Sequence, residues 1–68
     1  MTPFYLRLSE IRKARKKTQA ACAECIGVST RSYQYYEAGD REPNIKSLIA
    51  LADFFDVSMD YLTGRTDS

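Results

Sequence analysis

Residues 19–38 read QAACAECIGVSTRSYQYYEA, with apolar, small and turn residues where two short helices crossing at a tight turn need them. Cys22 and Ile26 are four apart on one face of a first helix, and Ala23 beside them is small enough to admit a second helix. Gly27 supplies the positive φ that ends a helix at little steric cost. Val28 fills the corner, and Ser29 is a good N-cap for the second helix. Tyr33 and Tyr36, three apart, turn the inner face of that helix back onto the first. The spacing predicts a helix-turn-helix, an arrangement that most often places one helix in the DNA major groove.

Working outward, the periodicity stays helical. Leu8, Ile11 and Ala14 recur at threes and predict a helix from about Tyr5 to Lys16. Thr18 caps the next helix, which runs to Ile26. The third helix starts after Ser29 and ends near Ala38, where Gly39 and Asp40 break the pattern. Pro43 closes that loop, and Asn44 caps a fourth helix whose stripe is Ile45, Leu48, Leu51, Ala52 and Phe55. Asp56 takes the left-handed position at its end, less comfortably than glycine would. Ser58 caps a short fifth helix, Met59 to Thr63, before Gly64 and a polar tail. No segment alternates at period two, so the reading is five helices and no sheet.

Sixty-eight residues make a single domain, 1–68, with its core at 5–64 and a short tail at 65–68. That length is near the lower limit for a core held by apolar burial alone, and too small for a typical enzyme with its own cofactor fold. No apolar run reaches the roughly 18 residues needed to span a membrane, and the start lacks the order of a secretory signal. Two cysteines three apart do not make a disulfide framework, so a reducing cytoplasm is the expected compartment. Cys22 and Cys25 form a CxxC, but with no histidine and no further cysteine they cannot complete a tetrahedral zinc site. Cys22 is expected in the core and Cys25 partly exposed. No metal and no cofactor is expected, and no catalytic constellation is present.

Net charge is only +1, but it is unevenly spread. Residues 1–18 hold six Lys or Arg against Glu10, while residues from Ala50 onward hold four acids against Arg65. Such polarity can orient a domain on a polyanion, although a basic run taken alone is a solvated helix face.

Across Leu8 to Gly64 the chain resembles the Cro/C1-type (Xre) helix-turn-helix domains of phage repressors and bacterial regulators. The strings that carry the resemblance are TQAACAECIGVSTRSYQYYEAGDREP and IKSLIALADFFDVSMDYL. The combination of Thr18-Gln19, Ala23, Gly27-Val28-Ser29, Tyr36-Glu37, Gly39 and Arg41-Glu42-Pro43 is far more specific than any one dipeptide. The resemblance implies an all-α, compact five-helix, lambda-repressor-like DNA-binding domain, with the helix-turn-helix formed by its second and third helices. Some positions depart from the family. Lys16 and Lys17 stand where relatives usually carry Gly and an aliphatic residue, which puts the end of the first helix in question. Tyr33 replaces a smaller aliphatic and Cys22 a Leu, a large-for-small and small-for-large exchange that could balance in volume.

If the third helix enters the major groove, its outward residues meet base edges: Thr30, Arg31, Gln34 and Tyr35, since Tyr33 and Tyr36 must point inward. Arg31 is the strongest base reader, because a guanidinium can donate two bonds to guanine, for about 1–3 kcal/mol of discrimination. Phosphate contacts are expected at helix N-termini, from Gln19, Asn44 and Lys46, with Arg41 just before them and Ser32 to the side. The family's use of the position matching Gln19 implies the same. The resemblance also implies an ion pair between Arg12 and Glu37 that bridges the first and third helices.

The partner expected from these readings is double-stranded DNA, with no membrane and no small-molecule ligand. The chain is expected to be bacterial or phage-encoded and to act in the cytoplasm, associated with the nucleoid, as a homodimer that is weak at micromolar concentration. Half-sites of a palindrome would lie roughly 10 bp apart. Dimer candidates are Met59, Tyr61 and Leu62 near the fifth helix, and Phe4, Tyr5 and Leu6 at the N-terminus, unless these simply cover the core, as is expected above all of Leu62. Repression by promoter occupancy is the leading function. The alternatives are a protein-interaction module of the same fold, an antitoxin or adaptor with a protein partner, or the DNA-binding part of a longer regulator.

Overall fold

A computed structural model describes residues 2–66. It holds five helices: α1 Phe4–Ala14, α2 Gln19–Cys25, α3 Thr30–Ala38, α4 Ile45–Phe55 and α5 Met59–Leu62. No strand occurs among the described residues. Of the tail placed at 65–68, Asp67 and Ser68 lie outside the described residues, as does Met1.

Four of the five helices open on a side chain that accepts a bond from their own first turn. Thr18 takes the Ala21 N–H and Ser29 the Ser32 N–H, each at 3.0 Å; Asn44 takes the Ser47 N–H at 2.8 Å and Ser58 the Tyr61 N–H at 3.0 Å. Each cap satisfies a backbone donor the helix cannot, for about 1 kcal/mol. The caps therefore set the phase of each helix. The 3.6-residue period then selects which side chains meet in the middle.

Those side chains are Leu8 and Ile11 of α1, Cys22 and Ala23 of α2, Tyr33 of α3, Leu51, Ala52 and Phe55 of α4, and Leu62 of α5. Tyr33 and Cys22 are both fully buried in this one cluster. Between α2 and α3, Gly27 adopts φ +71° and the Val28 N–H bonds the Ala23 carbonyl at 3.0 Å. This tucks Val28 against the core and crosses the two helices. Tyr36 meets the Tyr33 ring edge-on at 6.3 Å between centroids.

Three boundaries differ from the periodicity reading. The first helix ends at Ala14, not Lys16, because Lys16 turns left-handed at φ +57° and Lys17 N–H reaches back to the Arg12 carbonyl. Ile26 and Thr63 are caps rather than helical residues. Ile45, which the apolar period puts on the inner stripe of the fourth helix, is 70% exposed: as the first residue of α4 it lies beyond the reach of the core.

A lysine held left-handed costs energy that glycine would not. Lys16→Gly is therefore expected to raise stability by about 0.5–1 kcal/mol, net of the entropy glycine adds to the unfolded chain. A thermal melt of the two proteins checks this; a lower melting temperature would mean that the Lys16 side chain contributes more than its backbone costs.

The ends of the domain are clasped by a buried charge. Arg7 is 4% exposed, donates to the carbonyls of Tyr61 and Thr66 and to the Thr2 hydroxyl, each at 3.1 Å, and stacks 4.4 Å over the Tyr61 ring. At Gly64, with φ +80°, a Cβ would lie 2.0 Å from the Thr2 carbonyl oxygen, so this close approach needs glycine. Arg7 belongs to the basic end of the sequence, yet in the structure it is a fastening of the fold.

Candidate nucleic-acid interface

The outward side of α3 is set by the inward one. With Tyr33 buried and Tyr36 half-buried on the core, Thr30, Arg31 and Gln34 are exposed and Tyr35 is half-buried. Arg31, Gln34 and Tyr35 line one shallow open concavity with Ala38 and Asp40. Its floor is a helix, so the side chains sit on rigid backbone.

Two hydrogen-bond chains organise this face. In the first, Gln34 Nε2 donates to Gln19 Oε1 at 3.2 Å, and Gln19 Nε2 donates to Glu37 Oε1 at 3.2 Å. Glu37 is held in turn by Arg12, whose Nε donates to Oε2 at 2.6 Å and whose Nη2 donates to Oε1 at 3.2 Å. Arg12 Nη1 also donates to the Lys17 carbonyl at 3.0 Å, so one guanidinium ties the α1–α2 turn to α3. The pair is largely removed from water, at 14% and 8% side-chain exposure. Burial works against the Glu37 carboxylate, but Arg12 first, then the neighbouring Tyr33 phenol and Gln19 amide, hold its pKa below the ordinary 4.5. Burial beside that carboxylate pushes the Tyr33 phenol far up, so it stays neutral. The Tyr33 hydroxyl acts on that carboxylate as a neighbouring dipole, short of a hydrogen bond of ordinary geometry.

In the second chain, Arg31 Nε donates to the Tyr35 hydroxyl at 3.3 Å, and the Arg41 guanidinium stacks 4.4 Å over the Tyr35 ring. Arg31, Tyr35 and Arg41 thus form one surface cluster of two exposed arginines about a half-buried tyrosine, although Arg41 comes from the loop after α3.

The remaining candidates are spread over other elements. The Ser32 hydroxyl accepts from Ser29 Oγ at 3.0 Å, beside the α3 cap. Asn44 spends its side-chain oxygen on capping α4, and exposed Lys46 lies in the first turn. Phe4, Met59 and Tyr61 pack against the core, whereas Tyr5 is exposed. Leu6 and Ile49, each 47% exposed, are large apolar surface residues; Leu6 belongs to the N-terminal dimer candidate, whereas the sequence reading does not single out Ile49. Helical spacing does carry a signal for one of them: Ile45 and Ile49 are four apart, on one face of α4. The Arg31–Tyr35–Arg41 cluster is less readable, since its third member lies outside the helix.

Comparison with known proteins places this geometry in company. Residues 8–62 match the family model described as helix-turn-helix. The HTH-type transcriptional regulator YobD of Bacillus subtilis is 46% identical over 61 residues, 90% of this chain and 54% of that protein. The cryptic phage CTXphi transcriptional repressor RstR of Vibrio cholerae is 46% identical over 59 residues, 87% of this chain and 53% of that one. The chain thus spans about half the length of the curated relatives it matches. Among solved structures, the P22 c2 repressor in complex with a synthetic operator superposes with a TM-score of 0.81 at 34% identity. That match covers 91% of this chain and 94% of the repressor chain. A transcriptional regulator from Listeria innocua gives 0.85 at 35% identity, over 96% of this chain and 61% of its own.

Proposed function

The chain belongs to the Cro/C1-type helix-turn-helix family, and from that membership we propose that it binds a specific double-stranded DNA sequence and regulates transcription, chiefly by occupying a promoter as a repressor. The observation that carries this reading is the outward face of α3. There an exposed arginine, glutamine and threonine and a half-buried tyrosine stand on a helix whose inner face is locked by Tyr33. Thr30, Arg31 and Gln34 read base edges in the major groove, with Tyr35 beside them on the same face. Gln19, Ser32, Arg41, Asn44 and Lys46 set register on phosphates without carrying sequence information. The Arg12–Glu37 pair acts beneath them, holding α3 and Gln19 in place.

One such module buries little surface, so the protein works as a homodimer on a palindrome. Phe4, Met59 and Tyr61 are partly buried against the core, whereas Tyr5, Leu6, Ile45 and Ile49 are exposed. The dimer surface therefore centres on Tyr5 and Leu6 or on Ile45 and Ile49, with the partly buried residues at its edge.

Selection of bound duplexes from a random pool, at near-physiological salt, tests both statements. Enrichment of a two-fold symmetric motif is the expected result. A single asymmetric half-site would remove the dimer, and no enrichment would remove specific recognition. The exposed Ile45 and Ile49 favour the second reading in that last case, a module whose partner is another protein.

A further inference from the structure

Tyr35 holds two arginines that come from different elements. Its hydroxyl oxygen accepts from Arg31 Nε at 3.3 Å, one turn earlier on α3, and its ring carries the Arg41 guanidinium at 4.4 Å. The loop that brings Arg41 back is fixed by the backbone of the same residue. The Tyr35 carbonyl accepts from the Asp40 N–H at 3.0 Å and the Arg41 N–H at 3.4 Å. Changing the Tyr35 side chain therefore leaves those backbone anchors in place.

An exposed arginine is rich in rotamers, and fixing one before DNA arrives removes an ordering cost from the binding step. The chemistry of the two contacts differs. A guanidinium has five N–H donors, and a hydroxyl that occupies Nε leaves the four terminal ones for end-on pairing with a guanine edge. Stacking on a ring instead holds a guanidinium by its face and leaves its edge donors free for a phosphate. We propose that Tyr35 is a positioning residue that acts through both: its hydroxyl aims Arg31 at a base, and its ring parks Arg41 for the backbone. The inference rests on the DNA-binding reading above and assigns how that face is preorganised.

Three variants separate the roles, each scored on the selected site with every base pair substituted in turn. Tyr35→Phe keeps the ring and removes the acceptor. It should lose about threefold to tenfold of discrimination at the base pair read by Arg31, with other positions and the salt dependence unchanged. Tyr35→Leu should lose that and also weaken binding to all duplexes, lowering the salt slope by about one phosphate contact. In an Arg31→Ala background, Tyr35→Phe should change nothing further, because the two act as one unit. Rescue by the ring alone of the salt slope, but not of discrimination, is a pattern that general unfolding cannot produce.

A Tyr35→Phe effect at another base pair, or one that persists without Arg31, would make Tyr35 a direct base reader and overturn the proposal. Full discrimination in Tyr35→Phe would overturn it as well. Absence of any preferred base pair in the unmodified protein would defeat the underlying DNA reading and this one with it, whereas a preference that survives Tyr35→Phe defeats this one alone.

Discussion

Arg12→Ala is expected to destabilise the fold by about 3 kcal/mol, at the lower edge of what breaking a buried ion pair costs. The variant leaves Glu37, 8% exposed, as a buried carboxylate with the Gln19 amide bonded to it and no cation paired with it. It also strips the Lys17 carbonyl of the guanidinium that closes the α1–α2 turn. A domain of this size has a net stability of only about 3–5 kcal/mol, so the folded fraction at 37 °C should fall sharply. Urea unfolding measures the loss directly. Replacing both partners, as Arg12→Met with Glu37→Leu, should recover part of it, since no lone charge is then left inside. Unchanged unfolding together with weaker DNA binding would move Arg12 from the scaffold to the interface.

The pH dependence has a definite sign. Glu37 titrates below 4.5 in the folded protein, so its contribution is present above about that pH and is lost as pH falls through the depressed value. In Arg12→Ala, burial acts unopposed by the main cation and favours the protonated acid. The stability gap between the two proteins should therefore narrow as the solution is acidified below 4.5, the ordinary value.

Arg31→Ala should leave the melt untouched and strike recognition instead. Arg31 is exposed and its hydrogen bond among the described residues goes to the Tyr35 hydroxyl, at 3.3 Å, outside the core, so the core does not register its loss. Losing a bidentate arginine–guanine contact costs about 1–3 kcal/mol on the preferred site, confined to one base pair of each half-site. The specificity at that position should relax toward equality. Lys46→Ala, by contrast, should weaken all sequences alike and lower the salt slope by about one unit. Competition binding with singly substituted duplexes separates the two patterns. Uniform weakening by Arg31→Ala would place that guanidinium on a phosphate.

The residues that made the fold legible are the ones whose chemistry is local. Thr18, Ser29, Asn44 and Ser58 announce helix starts because each cap needs only its own first turn. Tyr33 and Tyr36 announce the inner face of α3, and the outer face is found by subtraction. What stayed hidden depends on contacts across the chain. Arg7 reads as one more basic residue until Tyr61 and Thr66, more than fifty positions away, supply its acceptors. Lys16 reads as helical because nothing in its side chain reports a left-handed backbone; the turn to α2 imposes it. Ile45 fits the apolar period of α4, yet the period says nothing about where the core stops. Arg41 joins the candidate site through Tyr35, by a loop return that spacing along a helix does not encode.

Specific recognition through the outer face of α3 is the central claim, and the ratio of two affinities tests it most directly. The selected duplex and a shuffled duplex of the same composition are each titrated with the protein at near-physiological salt. The claim predicts a preference of about a thousandfold or more for the selected duplex, the range of specific over non-specific DNA binding. A ratio near one, with both affinities fading together as salt is raised, would contradict it and leave only charge attraction to the phosphate backbone.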